Sequence, residues 1–383
     1  MPTNFSLASR TAPPEHLIMK QAGILPAQAL RRLIVHEYIR APRSIDDTQI
    51  QPASLDLRLG ATANRVRASF LPGRDETVED KIARYGQYTL DLTEGAVLER
   101  GAVYIVPLLE SLALPPDIHG IANPKSSTGR LDIFTRLIAD HTGEFDQVRA
   151  GYAGPLYAEI SPRTFSIRVK LGTRLGQLRL RQGEMTPSDA ALRNLYEREE
   201  LIIGARNDPL MPGGKIGISI DLVGDPESGL VGYKAKRDAG VIDYDRPGAY
   251  DWIDFWEPIP TRADNAIVLN LEDFYILRSK ESVSVPPDHA AEMIPYDTLV
   301  GEFRVHYAGF FDPGFGHSDH GGLGSRAVLE VRPHEVPFMV EDGQIVGKLV
   351  YEPLMEIPDR LYGKGMGSSY QAQGLRLSKH FRI

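Results

Sequence analysis

Cysteine is absent from the 383-residue sequence, which excludes disulfide bonds and thiolate metal ligands. A surplus of positive charge is also lacking, because 51 acidic residues outweigh 43 basic ones and leave a formal net charge of -8. Since nucleic-acid backbones favour clustered Lys and Arg, this balance argues against non-specific nucleic-acid binding. An anionic ligand would have to be met by a local basic site.

Long apolar segments are missing as well. No uninterrupted apolar run approaches the roughly 20 residues that span a bilayer. Residues 1–10 contain no apolar core of the kind found in secretory signal peptides. The sequence therefore predicts a cytoplasmic protein that binds neither membranes nor nucleic acid.

Short alternating stretches dominate what is present. The 28 prolines and 36 glycines divide the sequence into runs such as S-L-D-L-R-L, F-S-I-R-V-K-L and G-Q-L-R-L. Period-two alternation between turn residues is typical of half-buried strands, and many such strands in series favour a sandwich or barrel. Residues 26–39 and 187–201 have helical patterns instead. We therefore expect a mainly β fold with a few short helices.

The sequence contains an internal duplication. Residues 104–117, Y-I-V-P-L-L-E-S-L-A-L-P-P-D, match residues 275–288, Y-I-L-R-S-K-E-S-V-S-V-P-P-D, at an offset of 171. The same offset places A-E-I-S-P at 158–162 on L-E-V-R-P at 329–333. A period of this length indicates two copies of a whole domain rather than a short repeat.

The boundary between the two copies is predicted from a cluster of Gly and Pro in residues 202–214. We expect one domain over residues 1–207 and a second over 208–383.

The polar stretch K-S-S-T-G-R at 125–130 has a composition suited to phosphate, although a polar β-turn after Asn-Pro is the ordinary alternative. The offset of 171 places Y-D-T-L-V-G at 296–301 on it, and this copy has lost both positive charges and gained a carboxylate. Because a carboxylate repels phosphate, only the first half can bind an anion at this position.

Five motifs together resemble a known family. They are S-L-D-L-R-L-G, P-K-S-S-T-G-R, A-G-F-F-D-P-G-F, A-V-L-E-V and Y-G-x-G-x-G-S-x-Y-Q-x-Q-G, divided between the two halves. In this order they resemble the dCTP deaminases of the deoxyuridine triphosphatase superfamily. The resemblance implies two tandem distorted β-barrels of the jelly-roll type and deamination of dCTP to dUTP and ammonia. It also implies an active site between domains, with no catalytic metal and with Mg2+ bound alongside the triphosphate.

The resemblance assigns roles to single residues. The catalytic positions would be Glu330, Arg130 and Ser126. Substrate-binding positions would be Lys125, Ser127, Ala308, Phe311, Asp312, Tyr362, Lys364, Tyr370 and Gln373. Where many members have S-K-Y in the C-terminal arm, this sequence has S-S-Y at 368–370, and Lys364 or Lys379 could replace the missing charge.

Deamination needs a group that takes a proton from water and returns it to the pyrimidine ring or to the leaving amine. Glu330 suits this role because it stands on an apolar strand, where burial of a carboxylate needs a reason. Zinc-dependent nucleobase deaminases use cysteine ligands, which this chain lacks. Glu159, the copy of Glu330 in the first half, is either a relic or a second active residue, and the relic is favoured because the arm and the sugar motif are missing there.

Other interpretations stay open. A diphosphatase, or a bifunctional deaminase and diphosphatase, would use Asp146 and Tyr152 with Mg2+, and a nucleotide-sensing regulator would bind dCTP, dUTP or dTTP without turnover. His317 and His320 could bind a metal, although a solvent-exposed glycine-rich loop is the simpler interpretation. Because the basic motif and the glutamate lie in different halves, we expect a composite site within one chain, with a homo-oligomer possible.

Overall fold

Strands dominate the computed structural model, which describes residues 22–203, 209–295, 303–305, 309–318, 323–333, 336–363 and 374–382. The strands of the first half are β1 Gly23–Ile24, β2 Ile39–Arg40, β3 Leu55–Leu57, β4 Thr62–Val66, β5 Gly86–Asp91, β6 Ala96–Leu98, β7 Val103–Ala113, β8 Ile118–Pro124, β9 Ile133–Ala139, β10 Gln147–Val148, β11 Ala153–Pro162, β12 Ile167–Val169 and β13 Gly176–Gln182.

The remaining strands are β14 Ile202–Ile203, β15 Leu210–Met211, β16 Lys215–Ser219, β17 Leu230–Ala235, β18 Ile242–Asp243, β19 Tyr250–Asp251, β20 Trp256–Pro260, β21 Ala266–Leu269, β22 Tyr275–Val283, β23 His289–Pro295, β24 Phe303–Val305, β25 Gly309–Phe311, β26 Ser325–Pro333, β27 Phe338–Glu341, β28 Ile345–Pro353 and β29 Phe381–Arg382. The mainly β prediction is confirmed.

The sheets of the two halves have the same order, as the duplication predicts. In the first half, β5-β4-β7-β11-β9 form one sheet, and β13-β8-β10 with β3 on β13 form most of the other. In the second half, β20-β17-β22-β26-β24 and β16-β28-β23-β25 repeat both orders. β8 at 118–124 and β23 at 289–295 differ by the predicted 171 positions at both ends.

Four α-helices lie in the described part of the chain: α1 Ala27–Val35, α2 Val78–Tyr85, α3 Ser126–Gly129 and α4 Asp189–Arg198. The predicted helix 26–39 ends early because Glu37 adopts φ +56 and Ile39 pairs with Leu112. α2 was not predicted, although Thr77 caps it in a capping box with Asp80. None of these described helices has the length and apolar character needed to cross a bilayer.

A hydrophobic core is shared between the halves. Ile133 and Ile160 of the first half pack in one cluster with Trp256 and Phe274 of the second, and Phe381 near the end of the chain joins them. Each half also has a core of its own. Val328 of β26, Leu131 just after α3 and Ile133 at the start of β9 belong to this shared core, which positions the candidate site.

α4 packs on the second half. Its buried residues Leu192 and Leu195 belong to the core formed by strands of that half. The division of the chain at residue 207 stays a prediction.

Candidate active site

The stretch predicted to bind phosphate forms α3, a single helical turn after β8. Backbone bonds from Thr128 and Gly129 to the carbonyl of Lys125 close the turn, and the Thr128 hydroxyl donates to the Leu175 carbonyl at 2.8 Å. Ser126 is exposed. These hydrogen bonds therefore fix the turn, and Ser126 stays at its surface.

Glu330 lies on β26 with its side chain directed away from the core of its own half. Successive residues of a strand point to opposite faces. Leu329 and Val331 are buried in the second-half core, whereas Val328, two residues before Glu330, lies in the shared core. Only 7% of Glu330 is exposed, so its carboxyl is buried on the side that faces the first half.

The structure brings Glu330 and Arg130 together across the two halves. Nε of Arg130 is 3.9 Å from Oε1 of Glu330, and Nη1 of Arg130 donates to the backbone carbonyl of Arg376 at 3.1 Å. Burial raises the pKa of Glu330 to about 7, and the charge of Arg130 opposes this rise. A carboxyl with a pKa near neutrality can both accept and donate a proton during a reaction.

A second contact between the halves involves Asp312. Nη2 of Arg179, on β13, is 3.5 Å from Oδ1 of Asp312, and Nη1 of the same guanidinium donates to the Ala291 carbonyl at 3.1 Å. Burial raises the pKa of Asp312 to about 6, whereas Arg179 lowers it. Oδ1 of Asp312 has no hydrogen-bond partner within the described ranges, so it can accept a bond from a ligand hydroxyl.

Arg179 was not predicted from the sequence. It is fully buried, and its guanidinium lies 3.9 Å from the ring centroid of Phe310. The available signal was its position between two leucines in G-Q-L-R-L, where an alternating strand places it on the face opposite Leu178 and Leu180.

Lys125 is ion-paired with Asp56, the aspartate of S-L-D-L-R-L-G on β3. Asp56 is almost fully buried, whereas Lys125 keeps 22% of its side chain exposed. Asp56 and Lys125 both influence the pKa of Asp312, Asp56 raising it and Lys125 lowering it. These residues therefore form one charged cluster with Arg179.

Three predicted substrate-binding residues have side chains directed into the protein. The hydroxyl of Ser127 is 3.0 Å from that of Tyr244. The ring of Phe311 packs in the second-half core with its centroid 5.1 Å from that of Phe315, and the ring of Tyr362 lies 5.6 Å from the same phenylalanine. Their roles in substrate binding stay predictions.

The remaining predicted residues, Ala308, Lys364, Tyr370 and Gln373, lie outside the described residues, as do His320 and the stretch 296–301. His317 is described, and its Nε2 is 3.7 Å from Oε2 of Glu199. Within the described ranges, no group of three or more His, Asp or Glu side chains is arranged to hold a metal ion.

The first half has a different arrangement around Glu159. Both Nε and Nη2 of Arg136 donate to Oε1 of Glu159, at 3.1 and 2.6 Å. Arg136 itself stacks on Phe145, 3.3 Å from the ring centroid. Only 1% of Glu159 is exposed, and its Oε1 is occupied by Arg136.

Asp146 and Tyr152, the residues of the diphosphatase interpretation, are bonded to backbone groups. Oδ1 of Asp146 accepts from the Leu137 amide at 2.7 Å, and burial raises the pKa of Asp146 to about 7. The hydroxyl of Tyr152 donates to the Pro155 carbonyl at 2.6 Å.

Comparisons with known proteins agree with this two-part arrangement. The family model of the N-terminal domain of 2'-deoxycytidine 5'-triphosphate deaminase matches residues 21–184, and that of the C-terminal domain matches residues 188–381. The chain is similar to the dCTP deaminase of Haloarcula marismortui, with 32% identity over 166 residues, which is 43% of this chain and 81% of the relative.

It is also similar to the "dCTP deaminase, dUMP-forming" of Acidothermus cellulolyticus, with 32% identity over 35% of this chain and 66% of the relative. Among solved structures, the 2'-deoxycytidine 5'-triphosphate deaminase of Agrobacterium tumefaciens is 54% identical and superposes with a TM-score of 0.82 over 87% of this chain and 99% of its own. With both halves matched by its domains in order, the chain belongs to the dCTP deaminase family.

Proposed function

We propose that the protein converts dCTP and water to dUTP and ammonia at one composite site, with Glu330 as the general acid and base. The observation that carries this proposal is the contact between Glu330 and Arg130 from opposite halves, 3.9 Å apart and buried. Family membership supports dCTP as the substrate.

In this mechanism, ionised Glu330 takes a proton from water as the water oxygen bonds to C4 of the cytosine, and the proton passes to N3. The carboxyl then moves the proton of the new hydroxyl to the amino group. The bond between C4 and nitrogen breaks, and ammonia leaves a C4 carbonyl behind. A pKa of about 7 lets Glu330 perform both transfers near neutral pH.

Arg130 stabilises negative charge that develops on the attacking oxygen and keeps part of the Glu330 population ionised. Ser126, which is exposed on α3, orients the water through its hydroxyl. Oδ1 of Asp312, which is ion-paired with Arg179 but makes no hydrogen bond among the described residues, accepts a bond from the deoxyribose hydroxyl.

Lys125 and Ser127, at the start of α3, bind the triphosphate together with Tyr362, Lys364, Tyr370 and Gln373 of the C-terminal arm. Ala308 and Phe311 line the nucleoside site. Mg2+ prefers oxygen ligands and would arrive bound to the triphosphate. No proton-transfer step above uses the metal.

A second candidate is a bifunctional enzyme that also hydrolyses dUTP to dUMP and pyrophosphate. The observation that favours it is that several similar relatives are named "dCTP deaminase, dUMP-forming". Such a reaction needs a water molecule activated beside the α-phosphate.

Product analysis distinguishes these candidates. The purified protein is incubated with dCTP and Mg2+, and dUTP, dUMP, dCMP and pyrophosphate are separated by chromatography. We expect dUTP and ammonia in equal amounts without pyrophosphate. Accumulation of dUMP with pyrophosphate would support the bifunctional enzyme instead, and tight dCTP binding without any product would support a regulator. A parallel reaction with Glu330→Gln serves as the inactive control.

A further inference from the structure

Another ion pair between the halves lies beside that of Arg130 and Glu330. Nη2 of Arg332 contacts Oδ2 of Asp132 and also donates to the hydroxyl of Thr164 at 2.8 Å. The Thr164 hydroxyl donates to the same Oδ2 at 2.6 Å, and Nη1 of Arg332 donates to the Glu272 carbonyl at 2.6 Å. All three side chains of this triad are buried. We refer to Asp132, Thr164 and Arg332 as the clamp.

In each half, the charged residue of the clamp follows the charged residue of the catalytic pair by two positions and carries the opposite charge. Arg130 and Asp132 are two residues apart in the first half, and Glu330 and Arg332 are two residues apart on β26. Because residues two apart on a strand share a face, Arg332 projects from β26 on the same side as Glu330. Each half therefore presents one cation and one anion to the other.

Asp132 also fixes the backbone that carries Arg130. It adopts φ +55, in the left-handed region that non-glycine residues rarely occupy. Its amide donates to the Gly129 carbonyl at 2.8 Å, and its carbonyl accepts from the Arg163 amide at 2.9 Å. The end of α3 thus depends on a residue whose carboxylate is held by Arg332 and Thr164.

Two arginines lie on the face of β26 that carries Glu330, and one of them acts on its carboxyl. Among the described residues, the charged side chain that acts on this carboxyl is Arg130, while β22 places the apolar Ile276 opposite it. Arg332 is close by on the same face, but its guanidinium is engaged by Asp132.

The first half shows the other arrangement. There Arg136 bonds directly to Glu159 at 2.6 Å. Under the offset of 171, Ser161 is the copy of Arg332, and Phe303 is the copy of Asp132. The clamp is therefore a property of the composite site alone, and not a leftover of the duplicated fold.

We propose that Asp132, Thr164 and Arg332 are positioning residues for the deamination, which set Arg130 opposite Glu330 and keep Arg332 away from that carboxylate. This inference rests on the proposed function. Without Asp132, Arg332 would turn to Glu330 and bond to it, as Arg136 bonds to Glu159, and the added positive charge would hold Glu330 ionised.

The test is a double-mutant cycle of Asp132→Asn and Arg332→Gln, with kcat, KM and their pH profiles measured on the intact protein. We expect Asp132→Asn to lower kcat at least tenfold, to change KM less than threefold, and to move the acidic limb of the kcat profile at least one pH unit lower. Adding Arg332→Gln should restore most of kcat and return the profile, because the freed charge is gone.

A merely structural role predicts the reverse, with the double variant as impaired as the single one or more so. That result, or a wild-type kcat and pH profile in a folded Asp132→Asn protein, would contradict the positioning role of the clamp. Thr164→Val serves if Asp132→Asn fails to fold, with a smaller shift in the same direction expected. Glu352→Gln, which removes a different contact between the halves to Arg181, is the matched control and should leave kcat and the profile unchanged.

An infrared difference titration, referenced to Glu330→Gln, follows the Glu330 carboxyl without turnover. Its titration should move to lower pH in Asp132→Asn, and an unmoved titration contradicts the clamp even if the wild-type protein proves inactive towards dCTP. Absence of dCTP turnover by the wild-type protein would refute the proposed function, so the two failures are distinct.

Discussion

Glu330→Gln is expected to lower kcat for dCTP deamination by about 10³-fold while changing dCTP affinity by less than about fivefold, in line with the usual contribution of a general acid and base. The amide has nearly the shape of the carboxyl but cannot accept a proton from water. Steady-state kinetics together with calorimetric titration of dCTP provide the two quantities. Retention of a tenth of wild-type kcat would contradict the assignment.

The same substitution should stabilise the protein at alkaline pH. The pKa of Glu330 is raised from 4.5 to about 7 in the folded protein, so the unfolded chain releases this proton first as pH rises. Stability from this group is therefore lost between about pH 4.5 and 7, and the penalty above pH 7 approaches about 3 kcal/mol. Urea unfolding should show a gain for Glu330→Gln at pH 8 and almost none at pH 4.5.

Glu159→Gln is the matched control for both effects. It should change kcat less than about twofold, because Glu159 is buried and bonded to Arg136. It should also destabilise the protein, since Arg136 loses a charged hydrogen-bond partner. Equal losses of activity in Glu159→Gln and Glu330→Gln would contradict a single active site.

Arg130→Ala is expected to lower kcat by about 10²-fold to 10³-fold, the usual effect of removing one group that stabilises transition-state charge. The substitution also removes the cation that lowers the pKa of Glu330, so the acidic limb of the kcat profile should move to higher pH. Rate measurements between pH 5 and 9 test both effects.

Arg136→Ala is the control for this change, because it removes the arginine that bonds to Glu159, the copy of Glu330. It should leave kcat and its pH profile near wild type. An Arg130→Ala protein with wild-type kcat, or one whose profile matches that of Arg136→Ala, would show that Arg130 has no part in the reaction.

Much of the architecture was predictable because the two copies of the domain still share recognisable motifs in the sequence. The offset of 171 found in two motif pairs also separates β8 from β23, and the two sheets of the first half have the same strand order as those of the second. The division of motifs between the halves predicted that Arg130 and Glu330 would lie near each other, and they are 3.9 Å apart.

Other features depend on how the strands and the two halves pack, and they could not be predicted from the sequence. The doubled phenylalanine of A-G-F-F-D does not show which ring faces the other half, and the strand register decides it: Phe310 faces Arg179, and Phe311 packs in the core. Asp132 and Arg332 are 200 residues apart, and their copies under the duplication, Phe303 and Ser161, are uncharged. Their pairing depends on the way the halves pack, which local patterns do not encode.

Complementation between two inactive variants tests the central claim most directly. Arg130→Ala and Glu330→Gln chains are co-expressed with different tags, purified together, and assayed for ammonia release from dCTP. Since one chain supplies both residues of its own site, the mixture should be no more active than the variants alone. Recovery of about a quarter of wild-type activity would show that Arg130 and Glu330 meet between chains, which would contradict a composite site within one chain.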